Sequence, residues 1–412
     1  MPETVAIAGL GSRGLDSYAV YQKKHPDEMK ITAAADLRPF RLEKAAEEYA
    51  IAKENCFSSA EEMLSRPPLA DCLIIATQDK DHVAHALMAI RSGYRKILLE
   101  KPVSPVREDC QKLLEEVQRN DVSVTVCHVL RYTPFYQTIK KLIDEGRIGR
   151  VFTIDAVEAV GYFHMAHSFV RGNWRSEKST SPMILQKSCH DMDIIRYLAG
   201  RPCRKVYSTG SLSYFRAENA PAGFTARCLD PCPYLDSCPF SCKAIYIDSP
   251  EYGVRTHSQP VWPTDVVSPE FTLESVENAL RTGPYGRCVF ACDNTVVDHQ
   301  SAVLSFDDEI EATFTMTAFS EKNHRTIRIF GSEGEIEADT LYPVIKLRRF
   351  DSGEETVSCS DNGSGHGGGD EQIVSDFLHG RNQSSLAVSL ESHMMCFACE
   401  QSRLSGKAVA LR

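Results

Sequence analysis

An α/β fold that opens with a parallel sheet wound by helices is what the sequence predicts, and three stretches predict it. Thr4-Val5-Ala6-Ile7-Ala8 is a short run rich in strand formers, followed at once by Gly9-Leu10-Gly11-Ser12-Arg13-Gly14 and a helical pattern from Leu15. Met29-Lys30-Ile31-Thr32-Ala33-Ala34-Ala35 reads as the next strand, with Asp36 at its end, 22 positions after Gly14. Asp71-Cys72-Leu73-Ile74-Ile75-Ala76-Thr77 supplies a third strand after a crossover. Strands alternating with helical stretches give a parallel sheet.

A glycine fingerprint between strand and helix has a physical use. The first glycine allows a tight turn, the second lets backbone approach a pyrophosphate, and the third brings helix close to strand. The phosphates then face the free N–H groups and positive end of that helix. Gly9, Gly11, Ser12, Arg13 and Gly14 therefore predict a dinucleotide site. An acid about 20 residues on is where a ribose 2′-hydroxyl is bonded, so Asp36 favours NAD over NADP. Arg38 and Arg41 can accommodate a 2′-phosphate, which tempers that preference.

At 412 residues the chain is long enough for two domains, each with its own core. Its 42% hydrophobic and 25% charged residues are those of an ordinary globular protein. A net charge of -10, with no basic stripe bearing aromatics, argues against nucleic acid as a partner. The apolar runs are strand-sized, so no membrane span is expected. The N-terminus enters a strand immediately and leaves no room for a signal peptide. The 15 cysteines then read as reduced thiols, and a cytoplasmic location is expected.

Past Thr77, Gln78-Asp79-Lys80-Asp81-His82 opens a helix with Val83, Ala86, Leu87 and Ile90 at helical spacing, ended by Gly93. Lys96-Ile97-Leu98-Leu99 is a short strand leading into Glu100-Lys101-Pro102. A lysine at the carboxyl end of a parallel strand points into the crevice where such sheets bind ligands. Pro102 restricts Lys101 to an extended conformation, and such a lysine can hold a reacting hydroxyl and relay its proton.

Together, the fingerprint, Asp36, residues 77–82 and Glu100-Lys101-Pro102 resemble the glucose–fructose oxidoreductase / inositol 2-dehydrogenase / rhizopine-catabolism (Gfo/Idh/MocA) family. The likeness continues through Arg131-Tyr132-Thr133-Pro134, Gly146-Arg147-Ile148-Gly149, the His190 region and Gly331-Ser332-Glu333-Gly334, nearly the whole chain. The resemblance implies an N-terminal Rossmann domain and a C-terminal α/β domain with a large, mostly antiparallel sheet. It also implies nicotinamide-dependent oxidation or reduction of sugars, cyclitols or their derivatives. Thr77, His82, Glu100, Lys101 and Pro102 join the glycines, Ser12, Arg13, Asp36 and Arg38 as expected cofactor contacts.

Helix 106–119 and a strand at 122–126 close the first domain, 1–128, and the second runs over 129–412. Family members often carry Asn near the junction, where this chain has Cys127-His128-Val129. His128 is thus a candidate contact for nicotinamide or substrate, with a buried structural histidine as the alternative. A helix at 134–145 and a strand at 151–157 begin the second domain. Residues 161–175 read as an aperiodic loop dense in histidine, arginine and aromatics. His164, His167, Arg171, Trp174 and Arg175 suit a sugar ring or an acidic substituent on one. No acid or cysteine nearby completes a metal set around the two histidines.

Residues 181–198 read as one helix with Lys187, His190 and Asp193 recurring on one face. A histidine suits the removal of a hydroxyl proton because its pKa lies near neutrality. His190 resembles the family's catalytic histidine. The aspartate usual four residues earlier is Gln186 here, with Lys187 beside it. Lys187 and Lys101 would make the pocket positive and favour an anionic substrate or a developing alkoxide.

Cys228, Cys232, Cys238 and Cys242 cluster within an insert of about 220–250 and are candidates for a structural zinc knot, with free thiols or an iron–sulfur cluster as alternatives. Tyr285, Arg287, Asp293, Asn294 and His299 form a second expected substrate-facing group. Strands are expected near 302–306, 310–317 and 325–330, then a flexible glycine loop at 363–369 and helices at 370–379 and 390–405. In the family the open sheet face commonly forms a dimer interface, which implies a homodimer or homotetramer. The reading is an NAD(H)-dependent oxidoreductase acting on a secondary hydroxyl of a sugar, cyclitol or glycoside. Its rivals are a glycosidase that recycles bound NAD and a non-catalytic NAD-binding regulator.

Overall fold

The computed structural model describes residues 1–342, 344–359 and 365–411. Among these residues two sheets organise the chain. The first holds β1 (Glu3–Ala8), β2 (Met29–Ala35), β3 (Cys56–Phe57), β4 (Cys72–Ile75), β5 (Lys96–Leu99) and β6 (Ser123–Val126). All its pairings are parallel, in the order β3-β2-β1-β4-β5-β6. Chain progression reverses between β1 and β4, the place where such sheets bind ligands beyond their carboxyl ends. β4 is buried at every residue, as a strand covered on both faces should be.

The second sheet holds β7 (Val151–Gly161), β8 (Cys203–Ser211), β9 (His299–Phe306), β10 (Glu311–Ser320), β11 (His324–Gly331), β12 (Gly334–Asp339), β13 (Val344–Arg349), β14 (Gly353–Ser358) and β15 (Val409–Ala410). Its order is β14-β13-β12-β11-β7-β10-β9-β8-β15, antiparallel apart from the β7–β10 pair. β9 and β10 alternate buried and exposed residues, so one face packs on helices and the other lies open. The expected α/β class and antiparallel second sheet are both present.

The last two long helices, Gly369–Leu378 and Leu386–Ser405, return to the first sheet. Ile373, Val374, Phe377 and Leu378 complete the core around Val5 and Ile7. Leu386 and Leu390 complete the core on the other face, around Ala6, Leu73 and Ile97. Between the two helices, Ser384 Oγ donates to Val126 O at 2.6 Å and Val126 N donates to Ser384 O at 2.8 Å. The free edge of β6 is thereby covered.

Three local expectations need correction. Residues 181–198 form two helices, Met183–Gln186 and Cys189–Ala199, broken at Lys187 and Ser188. Residues 161–175 are not an open loop, because a helical turn Tyr162–His164 runs into a π-helix Met165–Arg171. Of the expected glycine loop, Gly365–Gly368 is a 3₁₀ turn and Gly369 begins a helix, whereas Gly363 and Ser364 lie outside the described residues. No described helix is long and apolar enough to cross a membrane.

Candidate active site

The glycine turn lies at the carboxyl end of β1. Gly9 adopts φ +92°, and a Cβ there would lie 2.5 Å from Ala76 O. A Cβ on Gly14 would lie 1.9 Å from Gly9 O, so both glycines are required by packing. Gly11 differs: the nearest atom to a Cβ there is Arg41 Nη1, at 3.6 Å. Among the described residues nothing fills that space, which fits the close approach of a phosphate. Asp36 ends β2 and accepts from Leu10 N at 2.7 Å and Arg38 N at 2.8 Å, which fixes its carboxylate beside the turn. Ser12 is exposed at the start of the π-helix Ser12–Ala19.

Arg13 does not lie free for a phosphate. Its Nε donates to Glu100 Oε1 at 2.6 Å and its Nη2 to Asp370 Oδ1 at 2.7 Å. Glu100 also accepts from Tyr18 Oη. Burial raises the Glu100 carboxyl, but Arg13 and Lys101 outweigh it and hold the group below its ordinary value. His82 is buried between two carbonyls, with Nδ1 2.8 Å from Pro102 O and Nε2 3.1 Å from Thr77 O. It braces the Lys101-Pro102 turn rather than facing the crevice.

Lys101 leaves the end of β5 and its Nζ donates to Gln186 O at 2.8 Å. This bond joins the first domain to the broken helix. Gln186 is buried, and its Nε2 donates to Trp174 O at 3.0 Å. One residue further, Lys187 pairs with Glu158 of β7 at 3.0 Å. Glu158 also accepts from Arg325 Nη2 at 2.6 Å and Ser188 Oγ at 2.9 Å, and Arg325 Nε donates to Asp191 at 2.7 Å. The expected surplus positive charge at Lys187 is therefore cancelled inside the protein. Burial lowers the Lys187 ammonium, and burial with the nearby Glu158 raises the Asp191 carboxyl despite Arg325.

His190 begins the second half of the broken helix and is 5% exposed. Its Nδ1 is buried with no hydrogen-bond partner among the described residues. Burial first, and the positive charge of Lys101 next, push its imidazole well below the ordinary histidine value. His128 lies edge-on to it at 6.0 Å between ring centroids, fully buried, with neither nitrogen bonded. Burial lowers His128 to about 4. Asp193 does not share the site face, because Arg131 takes both its oxygens at 2.5 and 2.8 Å. A neutral imidazole beside a lysine can accept a hydroxyl proton while the ammonium steadies the oxygen.

The aromatic wall is partly as expected. His167 stacks on Tyr285 at 4.5 Å, and its Nδ1 lies 3.1 Å from Tyr246 Oη. His164 lies 3.0 Å from Asn323 Oδ1 and edge-on to Trp262 at 4.8 Å. Trp174 is half-buried against the second core. Arg171, Arg175, Arg287, Asp293 and Asn294 hold loops together instead. Arg171 is fully buried and donates to Arg287 O and Phe240 O. Arg175 and Arg287 both grip Asp293. Asn294 donates to Phe215 O, and His299 is exposed beside Asp298.

The expected zinc knot is not assembled. Among the described residues no group of three or more histidine, cysteine, aspartate or glutamate side chains is placed to hold a metal. Cys228 and Cys242 turn into the core, Cys228 with Arg171 Nη2 3.6 Å away, whereas Cys232 and Cys238 are half-buried on the loop. Three site-adjacent groups escaped the sequence reading: Glu158, Arg325 and His366. Glu158 sits near the end of β7 among buried neighbours, and Arg325 is the second residue of β11, so neither stands out from its strand in the sequence. His366 sits 5.9 Å from His190 between centroids, and its only signal was one histidine amid glycines.

The family model for an NAD-binding Rossmann fold of Gfo/Idh/MocA oxidoreductases matches residues 4–128, and that for its C-terminal alpha/beta domain matches 140–383. The chain belongs to the Gfo/Idh/MocA oxidoreductase family. YteT of Bacillus subtilis is 24% identical over 406 residues, 92% of this chain and 89% of that one. Inositol 2-dehydrogenase 2 of Saccharopolyspora erythraea is 31% identical over 133 residues, 32% of this chain and 35% of that one. The solved structure of levoglucosan dehydrogenase with NADH and levoglucosan is similar over 100% of both chains, with a TM-score of 0.72 at 18% identity. As a Gfo/Idh/MocA protein the chain is an NAD(P)-dependent oxidoreductase.

Proposed function

We propose that the protein oxidises a secondary hydroxyl of a sugar, cyclitol or glycoside, with NAD preferred over NADP. The observation that carries this reading is His190, a neutral buried imidazole whose Nδ1 has no partner among the described residues, beside Lys101 at the carboxyl end of β5. When bound, NAD supplies the hydride acceptor. Gly9, Gly11, Gly14 and Asp36 would hold it, with space kept open at Gly11. Lys101 steadies the substrate oxygen, His190 takes its proton, and the wall of His164, His167, Trp174 and Tyr285 receives the ring. Lys187 is taken up by Glu158 inside the protein, which supports a neutral polyol rather than an anionic one. The open face of the second sheet supports association into a homodimer or homotetramer.

The test is native mass spectrometry of the purified protein, followed by NADH formation with free sugars, cyclitols and glycosides. NAD binding with dehydrogenation of one such class is expected, and His190→Asn should lower kcat by about 10²-fold or more while NAD binding persists. A protein that binds neither nucleotide overturns the reading. Stoichiometric NAD that survives purification and yields no net NADH would replace it with the recycling glycosidase.

A further inference from the structure

His366 stands on the Gly365–Gly368 turn at φ +51°, a left-handed backbone that histidine seldom adopts. Its surroundings hold it there. Gly367 and Gly368 follow at φ +60° and +89°, and a Cβ on Gly369 would lie 2.3 Å from Val129 O. Asp370 Oδ2 lies 3.1 Å from His366 Nδ1, nearer than Arg13 Nη1 at 3.4 Å. Nδ1 therefore carries the hydrogen and donates to Asp370, leaving Nε2 as a base. Asp370 is itself anchored by Arg13, which also grips Glu100.

The His366 ring is 5.9 Å from that of His190 between centroids and tilted by 47°. The two rings share no direct hydrogen bond among the described residues, and at that separation one oxygen, from water or from a substrate hydroxyl, can span them. His190 is 5% exposed, whereas the His366 side chain is 39% exposed. A buried base that gains a proton at each turnover needs a way to lose it.

We propose that His366 is the proton outlet of the site, receiving through one bridging oxygen the proton that His190 takes from substrate. The inference rests on the reading of His190 as the base. In balance, protonated His190 gives its proton to the bridging oxygen, that oxygen gives a proton to His366 Nε2, and His366 releases one to bulk water. No electrons move in these steps. The charged groups around His366 are Asp370, Arg13 and Lys187, and His190 is its titratable neighbour.

His366→Ala tests the outlet. We expect kcat to fall at least about tenfold with KM little changed, and added imidazole to restore the rate. Asp370→Asn should lower kcat less and alter its pH profile. An unchanged kcat in His366→Ala, or a loss that imidazole leaves untouched, overturns the proposal. If the wild-type enzyme oxidises no polyol, the proposed function fails separately, and the relay is then read from ring-nitrogen NMR of the full chain. His366 should carry its hydrogen on Nδ1, and the titration of His190 should shift in His366→Asn. An unaltered His190 titration overturns the relay.

Discussion

At the scale of residues, burial decides the chemistry. His190 is held neutral because the protein interior penalises the imidazolium and Lys101 adds repulsion. A general base must be unprotonated to act, and a depressed pKa keeps it so at lower pH. The acid limb of kcat/KM for alcohol oxidation should therefore fall below the ordinary histidine value of about 6.5. A limb at or above that value, measured over a pH series, would show that His190 is solvated. Glu158 offers a second test, because it is the shared partner of Lys187 and Arg325. Glu158→Ala strands buried positive charge and should cost about 3 kcal/mol or more in denaturant unfolding. The position of Lys101 at a strand end was legible because the short apolar run of β5 precedes it. Arg171 was misread because sequence shows a forked donor but not that its partners are carbonyls of other loops.

At the scale of elements, the glycine turn separates packing from binding. Gly14→Ala drives a methyl into Gly9 O and should destabilise the fold. Gly11 has φ -71°, which alanine adopts freely, and no protein atom closer than Arg41 stands in the way. Gly11→Ala should therefore keep its Tm and lose NAD affinity at least about tenfold, measured by calorimetry on both variants. Equal loss of stability in the two would mean that Gly11 also serves packing. Most strands were legible because period-two alternation or a short apolar run marks them. The break at Lys187 and Ser188 was not, because it is set by bonds to Glu158 of a distant strand. The Met165–Arg171 segment read as a loop because a π-helix does not follow the 3.6-residue period that sequence patterning detects.

At the scale of the molecule, buried imidazoles tie stability to pH. Burial lowers His128 to about 4 and both His167 and His393 to about 3. Unfolded, each binds a proton below about pH 6.5. The unfolded state then holds more protons than the folded one, so stability is full above that pH and is lost as pH falls towards the folded values. Tm should drop steadily below about pH 6.5, and a Tm flat down to about pH 5 would show that these rings take up protons in the folded protein. Association belongs to this scale too. Tyr207 and Val303 are paired neighbours exposed on the open sheet face. Val303→Lys should shift the protein to a smaller species in light scattering, and an unchanged mass would move the interface elsewhere. The two-sheet plan was legible, but the way the chain's end rejoins its beginning was not, since pairing over such a span leaves no local pattern.

That return has a consequence for biosynthesis. A ribosome delivers β1 first, yet both cores flanking that sheet stay open until Ile373 to Leu390 have been made. The nucleotide half is translated ahead of the second sheet yet is completed only after it. Throughout most of elongation its apolar faces and the edge of β6 are exposed, the condition in which nascent chains aggregate or recruit chaperones.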